Sequence, residues 1–190
     1  MVKITRVYTK KGDKGDTGSL KSNRTSKNSL RIEVLGALDE LNSFLGWIVV
    51  LLNDENAHLK TQLLTIQNVL FDVGAYLCGS SKINNPTVLF SHIVTHLENE
   101  IDVMNATLPH LDSFVLPGGN EITARLHIAR TICRRAERCL VSFAQEQKDT
   151  TVIPYLNRLS DWLFVAARFI AYQQNVEEQL WQPSWEKNSQ

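Results

Sequence analysis

From residue 29 onward, apolar residues recur three and four positions apart along most of the chain. Ile32, Leu35, Leu38, Leu41, Leu45, Ile48 and Leu52 form the first such series. Steps of three and four place side chains on one face of an α-helix, so the series predicts an amphipathic helix from near Ser29 to near Asn53. Leu59, Leu63, Ile66, Leu70, Val73 and Leu77 predict a second helix, stopped by Gly79-Ser80-Ser81. Ile93, Leu97, Ile101, Met104 and Leu108 predict a third, starting near Ser91 and closed by Pro109. A fourth runs through Glu121 to Asp149, a stretch without Gly or Pro, and a fifth follows Pro154 on Leu156, Leu159, Leu163, Ala167 and Ile170. No segment alternates with period two for long enough to argue for a sheet. The pattern predicts an all-α protein, a five-helix bundle preceded by a glycine- and lysine-rich loop. We read residues 1–190 as one domain, with the loop over 1–28, the bundle over 29–175 and a tail over 176–190.

Two connections stand out. Residues 79–90 are polar and contain Asn84-Asn85-Pro86, whereas residues 109–120 contain the apolar run Phe114-Val115-Leu116-Pro117-Gly118-Gly119. An apolar loop needs a cover, whether core, ligand or another subunit. The tail is acidic and polar yet holds Trp181 and Trp185, which fits docking on the bundle or on a neighbouring subunit.

Composition narrows the setting. The chain has 190 residues, 43% of them hydrophobic, enough for a real core. Its three cysteines, Cys78, Cys133 and Cys139, make no CxxC pair, and with no secretory signal they point to a reducing, cytoplasmic location. No uninterrupted apolar run approaches the ~20 residues that span a bilayer, so no membrane association is expected.

The net charge is zero, but residues 1–31 carry nine Lys or Arg against Asp13 and Asp16 only. A basic head on a neutral chain suggests a local anionic ligand; nucleic-acid binding wants a broader basic surface. Five of the ten arginines fall between Arg125 and Arg138. On a helix, His127, Arg130, Arg134, Glu137 and Arg138 share one arc, with Ile128, Ala129, Ile132, Ala136, Leu140 and Phe143 on the other side. Guanidinium groups hold phosphate through bidentate hydrogen bonds, so this arc has the form of an anion clamp. The same pattern also describes a solvated helix face. The N-terminal Thr9-Lys10-Lys11-Gly12-Asp13-Lys14-Gly15-Asp16-Thr17-Gly18-Ser19 suits close approach of phosphate to backbone N–H groups. It is neither a Walker A loop nor a dinucleotide fingerprint. Alone it reads equally as a mobile terminus; beside the arginine helix it is a candidate half of a triphosphate site.

Asp39, between core leucines, is a candidate partner for a buried arginine, or an ordinary surface acid like Glu40. Asn157, Asp161 and Arg168 share one side of the fifth helix, completing a site between helices or facing water. His92 and His96 have a zinc-compatible spacing but lack the glutamate of a zinc-protease helix. Glu55-Asn-Ala-His58 is a single copy of a di-iron motif that is needed twice. No Ser-His-Asp or Cys-His arrangement is evident, so the nucleophile of any reaction would come with the substrate.

Five motifs occur in order: Thr9-Lys10-x-Gly12-Asp13-Lys14-Gly15, Leu38-Asp39-Glu40-Leu41-Asn42, Phe114-Val-Leu-Pro-Gly-Gly, Ala129-Arg130-Thr-x-Cys-Arg134-Arg135-Ala-Glu137-Arg138 and Tyr155-Leu-Asn157-Arg158-Leu-Ser-Asp161. Together, over residues 4–173, they resemble the PduO-type ATP:cob(I)alamin adenosyltransferases. The resemblance implies a homotrimer of five-helix bundles that binds ATP with Mg2+ between subunits and moves the 5′-deoxyadenosyl group onto the cobalt of cobalamin, releasing triphosphate. It implies that Thr9, Lys10, Lys11, Gly12, Thr17 and Gly18 wrap the ATP and that Lys27 reaches its phosphates. Arg134, Arg135, Glu137 and Arg138 form the clamp, completed by Asn157. By the same resemblance Asp39 is expected to pair with Arg130 across the subunit interface, and Phe114 to press on the lower corrin face. There Phe114 displaces the lower axial ligand and favours a four-coordinate cobalt(II) that is easier to reduce. The family usually has Thr where Lys11 stands. The resemblance leaves the metal ligands unknown; Asp16 adds a negative charge near the expected phosphates and is either a metal-sphere ligand or solvent-facing. A partner protein is left open, either a reductase or a cobalamin-dependent enzyme. The alternative class is an ATP-binding helical regulator without adenosyltransferase activity, and a third is a structural helical oligomer. The N-terminal loop speaks against the third, and Asp39, Arg130 and Phe114, which serve cobalamin, favour the enzyme over the regulator.

Overall fold

The computed structural model describes Tyr8, residues 10–18 and residues 24–185. Five long helices dominate it: α1 (Leu30–Leu51), α2 (Ala57–Leu77), α3 (Pro86–Asn105), α4 (Glu121–Gln147) and α5 (Ile153–Gln173). A short antiparallel ribbon, β1 (Asp16–Gly18) with β2 (Arg24–Ser26), precedes them, pairing Asp16 with Ser26, Thr17 with Thr25 and Gly18 with Arg24. The sequence pattern predicts no sheet. Three residues per strand are too few to show alternation, and the ribbon is held by ladder bonds and a side-chain clip.

Local signals explain the helix ends. α4 begins with a capping box, in which the Asn120 side chain accepts from Thr123 N at 3.0 Å and Thr123 Oγ1 accepts from Asn120 N at 2.9 Å. Gly119, at φ +90°, makes this possible, because a Cβ there would lie 2.6 Å from Thr123 Oγ1. α3 starts earlier than the periodicity predicts, because Pro86 opens the helix. Proline has no N–H to lose in the first turn and its φ is preset for helix. The polar connection is correspondingly shorter, and Leu108 lies beyond the end of α3.

One apolar cluster joins all five helices, with Leu41, Leu45, Ile48, Leu63, Leu126, Leu140, Leu156, Leu159 and Trp162 fully enclosed. α4 packs between α1 and α5; α2 lies on α1 and α3 on α5. α1 is long and apolar enough to cross a membrane, but its Val34, Leu38, Leu41, Leu45 and Ile48 stripe is buried in the bundle. Between α1 and α2, Asn42 Nδ2 donates to Gln67 O and Gln67 Nε2 donates to Asn42 O, both at 3.0 Å. This closed amide pair satisfies the one buried polar residue of α1.

Candidate active site

Four chemical elements recur in the sequence reading: the arginine helix, the N-terminal loop, Asp39 and the Phe114 loop. On α4 the apolar stripe of Leu126, Ala129, Cys133, Ala136 and Leu140 is buried against the core. Arg130, Arg134, Glu137 and Arg138 run along one flank of that stripe. Two expected positions differ: His127 is 4% exposed, turned inward beside Phe164, whereas Ile128 is 47% exposed. The buried arc is therefore centred nearer the arginine flank than the apolar count alone suggests. Burial, and then the charge of Arg130, hold the His127 imidazolium pKa below its usual range.

Arg134 and Arg138 are exposed, whereas Arg130 is half-buried. Its Nε has no hydrogen-bond partner, and burial followed by the neighbouring charge of Arg134 lowers its pKa. Among the described residues Arg134 and Arg138 form no ion pair, and the only acid on the flank, Glu137, accepts a hydrogen bond from Asn157 Nδ2 at 2.9 Å. A row of cations that repel one another and, among the described residues, make no ion pair has the form of an anion site. Asn157 of α5 is fixed at its edge. Arg135, predicted for the same clamp, sits about 100° further round the helix and is ion-paired to Glu40 of α1, which raises its pKa. Within one protomer it is not joined to Arg134.

In the N-terminal loop, Arg24 is the residue that sequence reasoning missed. Its Nε donates to Asp16 Oδ2 at 2.6 Å, and its guanidinium also donates to the Lys11 carbonyl. The hydrogen bond from Arg24 is the main cause of the lowered Asp16 pKa. Asp16 is thus a structural clip, and Lys11 contributes through its backbone, which any residue supplies. Gly12 lies against Lys27: a Cβ there would come within 3.3 Å of Lys27 Nζ. Lys10, at φ 56°, and Lys27, whose N–H donates to Gly15 O at 2.9 Å, frame the same turn. Thr17 and Gly18 are the ribbon's first strand; Thr9 lies outside the described residues. Among those residues no hydrogen bond or ion pair joins this loop to α4.

Asp39 is exposed, and among the described residues its carboxylate forms no ion pair, so the pairing with Arg130 is absent within one chain. It borders a groove of about 550 Å3 formed by Ile32, Leu35, Gly36, Leu70, Phe71 and Gly74 of α1 and α2, with Phe71 69% exposed.

Phe114 is 76% exposed. Its ring meets Trp181 edge-on at 6.1 Å, and Trp181 meets Trp185 at 5.3 Å. The tail therefore covers one side of the apolar loop. Arg168 is not part of the exposed Asn157 and Asp161 edge; it is buried at the far end of α5. Among the described residues no cluster of three His, Cys, Asp or Glu side chains could hold a metal ion.

A sequence profile described as cobalamin adenosyltransferase matches residues 7–170. The chain belongs to the cobalamin adenosyltransferase family. It is 46% identical over 168 residues to a corrinoid adenosyltransferase of Bacillus subtilis, covering 87% of this chain and 86% of that protein. It is 36% identical over 185 residues to the Homo sapiens corrinoid adenosyltransferase, covering 94% and 74% respectively. A solved structure of a variant PduO-type ATP:corrinoid adenosyltransferase from Lactobacillus reuteri, complexed with cobalamin and ATP, superposes with a TM-score of 0.82 at 36% identity, covering 93% of this chain and 97% of that one. A second variant of that enzyme, complexed with ATP, gives 0.80 at 37% identity, over 93% of this chain and 100% of that one. The cobalamin adenosyltransferase family thus covers the bundle and the arginine flank together.

Proposed function

We propose that the chain carries out its family's reaction, transfer of the 5′-deoxyadenosyl group of ATP to the cobalt of a reduced corrinoid, on the α4 flank between adjacent subunits of a homotrimer. Cobalt(I) supplies the electron pair. A cobalt–carbon bond forms at the ribose 5′ carbon as the carbon–oxygen bond breaks, and the pair from that bond leaves with inorganic triphosphate. No protein nucleophile is needed. The protein's tasks are to align the 5′ carbon and to stabilise charge on the leaving group.

The observation that carries this reading is the arginine flank, in which Arg130 has a buried Nε without a hydrogen-bond partner and, among the described residues, neither Arg130 nor Arg134 makes an ion pair, beside a fixed Asn157–Glu137 pair. Arg134 and Arg138 hold the triphosphate. Lys10, Gly12 and Lys27 of a neighbouring subunit close over it, which fits a loop that is not bonded to its own α4. Arg135, held to Glu40, supports the clamp from behind. Asp39, without an ion pair among the described residues and at the rim of an apolar groove, reaches Arg130 of a second copy seated on that groove. Mg2+ would travel with the nucleotide, shielding its phosphates, with Glu137 the acid nearest the row. Phe114 offers its exposed face to the lower side of the corrin. Three free cysteines suit a reducing compartment, and we place the protein in the cytoplasm.

An anaerobic assay with ATP, Mg2+ and chemically reduced cob(I)alamin tests the proposal. Loss of the cobalt(I) absorbance, dependent on the protein and on ATP, is expected. Bound ATP with no change in that absorbance would leave a nucleotide-binding protein and overturn the reading.

A further inference from the structure

Arg168 lies on α5 at the end of the bundle that carries the Phe114 loop, and it is only 5% exposed. Its planar guanidinium holds two chain segments at once. Nη2 donates to the carbonyl of Pro109, where the Phe114 loop begins, at 3.0 Å. Nε faces the Glu178 carboxylate in the tail, 3.2 Å from either oxygen. Beyond Glu178 the tail runs as an added strand along the loop. Leu116 N donates to Gln179 O at 2.8 Å, Trp181 N donates to Phe114 O at 2.7 Å, and Val115 and Leu180 form an antiparallel bridge. Ser113 Oγ donates to Trp181 O at 2.9 Å, and the Trp181 ring rests against Phe114.

The geometry points to Arg168 as a positioning residue for Phe114, acting through the tail segment Val176–Trp181. Phe114 is largely exposed, so the core does not fix it. Its backbone and ring are fixed from the tail side, and the tail is fixed to the bundle at Glu178 by Arg168. An isolated connecting loop is mobile, and a ring that must press on one face of a flat ligand has to be held in place before the ligand arrives. A guanidinium fork suits this task because it makes directed bonds to two partners and stays charged when buried. A buried ion pair is weak evidence for added stability. What marks this one is that its two partners are the two segments that meet again at Phe114. The inference rests on the proposal that Phe114 meets the corrin.

The test uses the full-length protein with ATP and cob(II)alamin, following the spectroscopic signature of four-coordinate cobalt(II) and the rate of adenosylation from cobalt(II). Arg168→Lys keeps the charge but cannot span both partners. Glu178→Gln keeps the shape and serves if Arg168→Lys does not fold. Each variant is expected to leave KM for ATP and the rate with preformed cob(I)alamin unchanged. Each lowers the four-coordinate signal and slows the cobalt(II)-started reaction roughly a hundredfold, the scale of an ångström-level misplacement. Combined with Phe114→Ala, neither adds a further loss, because both act through one ring. Folded variants with a wild-type signal, where Phe114→Ala alone abolishes it, would overturn the role of Arg168 and leave that of Phe114 standing. If Phe114→Ala itself keeps the signal, the seating of the corrin on Phe114 fails, and the role of Arg168 fails with it.

Discussion

Replacing Arg134 by alanine is expected to lower kcat/KM for ATP by about 10²–10³-fold, the loss typical when one preorganised donor to a developing charge is removed, with the fold intact. Arg134 is exposed and makes no ion pair among the described residues, so the native bundle loses nothing by its removal. Alanine is also the best helix former, so α4 keeps its twenty-seven residues. The cost falls on catalysis, because the charge that grows on the departing triphosphate is larger than that on bound ATP. An arginine facing it contributes more in the transition state than in the ground state. Steady-state kinetics with near-saturating cob(I)alamin, beside circular dichroism, decide the matter. A folded variant with unchanged kcat/KM for ATP would remove Arg134 from the clamp.

Phe114→Ala is expected to act on the other substrate. Full burial of a phenyl ring against an apolar surface is worth about 1.5–3 kcal/mol, which corresponds to roughly ten- to a hundredfold in a rate or affinity. Adenosylation started from cobalt(II) should fall by that factor or more under the proposed seating of the corrin on Phe114, in which the ring takes the place of the lower axial ligand. KM for ATP should stay as it was, since among the described residues no hydrogen bond or ring pair joins Phe114 to the arginine flank. The ring is exposed, so its loss opens no cavity in the core and the thermal midpoint should shift little. Equal losses in ATP binding and in cobalt(II)-started turnover would contradict the assignment.

The fold and the candidate site were partly legible in the chain and partly not, for physical reasons. The five helices were legible because each buries a stripe, and a stripe repeats in sequence. The start of α3 was not, since its first turn, Pro86 to Leu89, precedes the repeat and carries a proline that serves equally in a loop. The ribbon at Asp16–Ser26 was hidden because the Arg24 clip on Asp16 spans eight positions with no periodic signature. The arginine flank could be read on a wheel, but the wheel gives angle and not depth. It could not say that His127 turns inward, that Arg135 finds Glu40 on α1, or that Arg168 lies under the tail. Those facts depend on which neighbouring element covers each end of a helix. Asp39 is the opposite case: its motif was visible, but among the described residues it has no ion pair within its own protomer.

The most direct test of the central claim is to identify the phosphorus product of the anaerobic reaction by 31P NMR and count it against the adenosylcobalamin formed. Attack by cobalt at the 5′ carbon, with the protein only aligning and stabilising, predicts one inorganic triphosphate for each cobalt–carbon bond. Release of ADP and phosphate without adenosylcobalamin would mean attack at phosphorus instead, and would contradict the account.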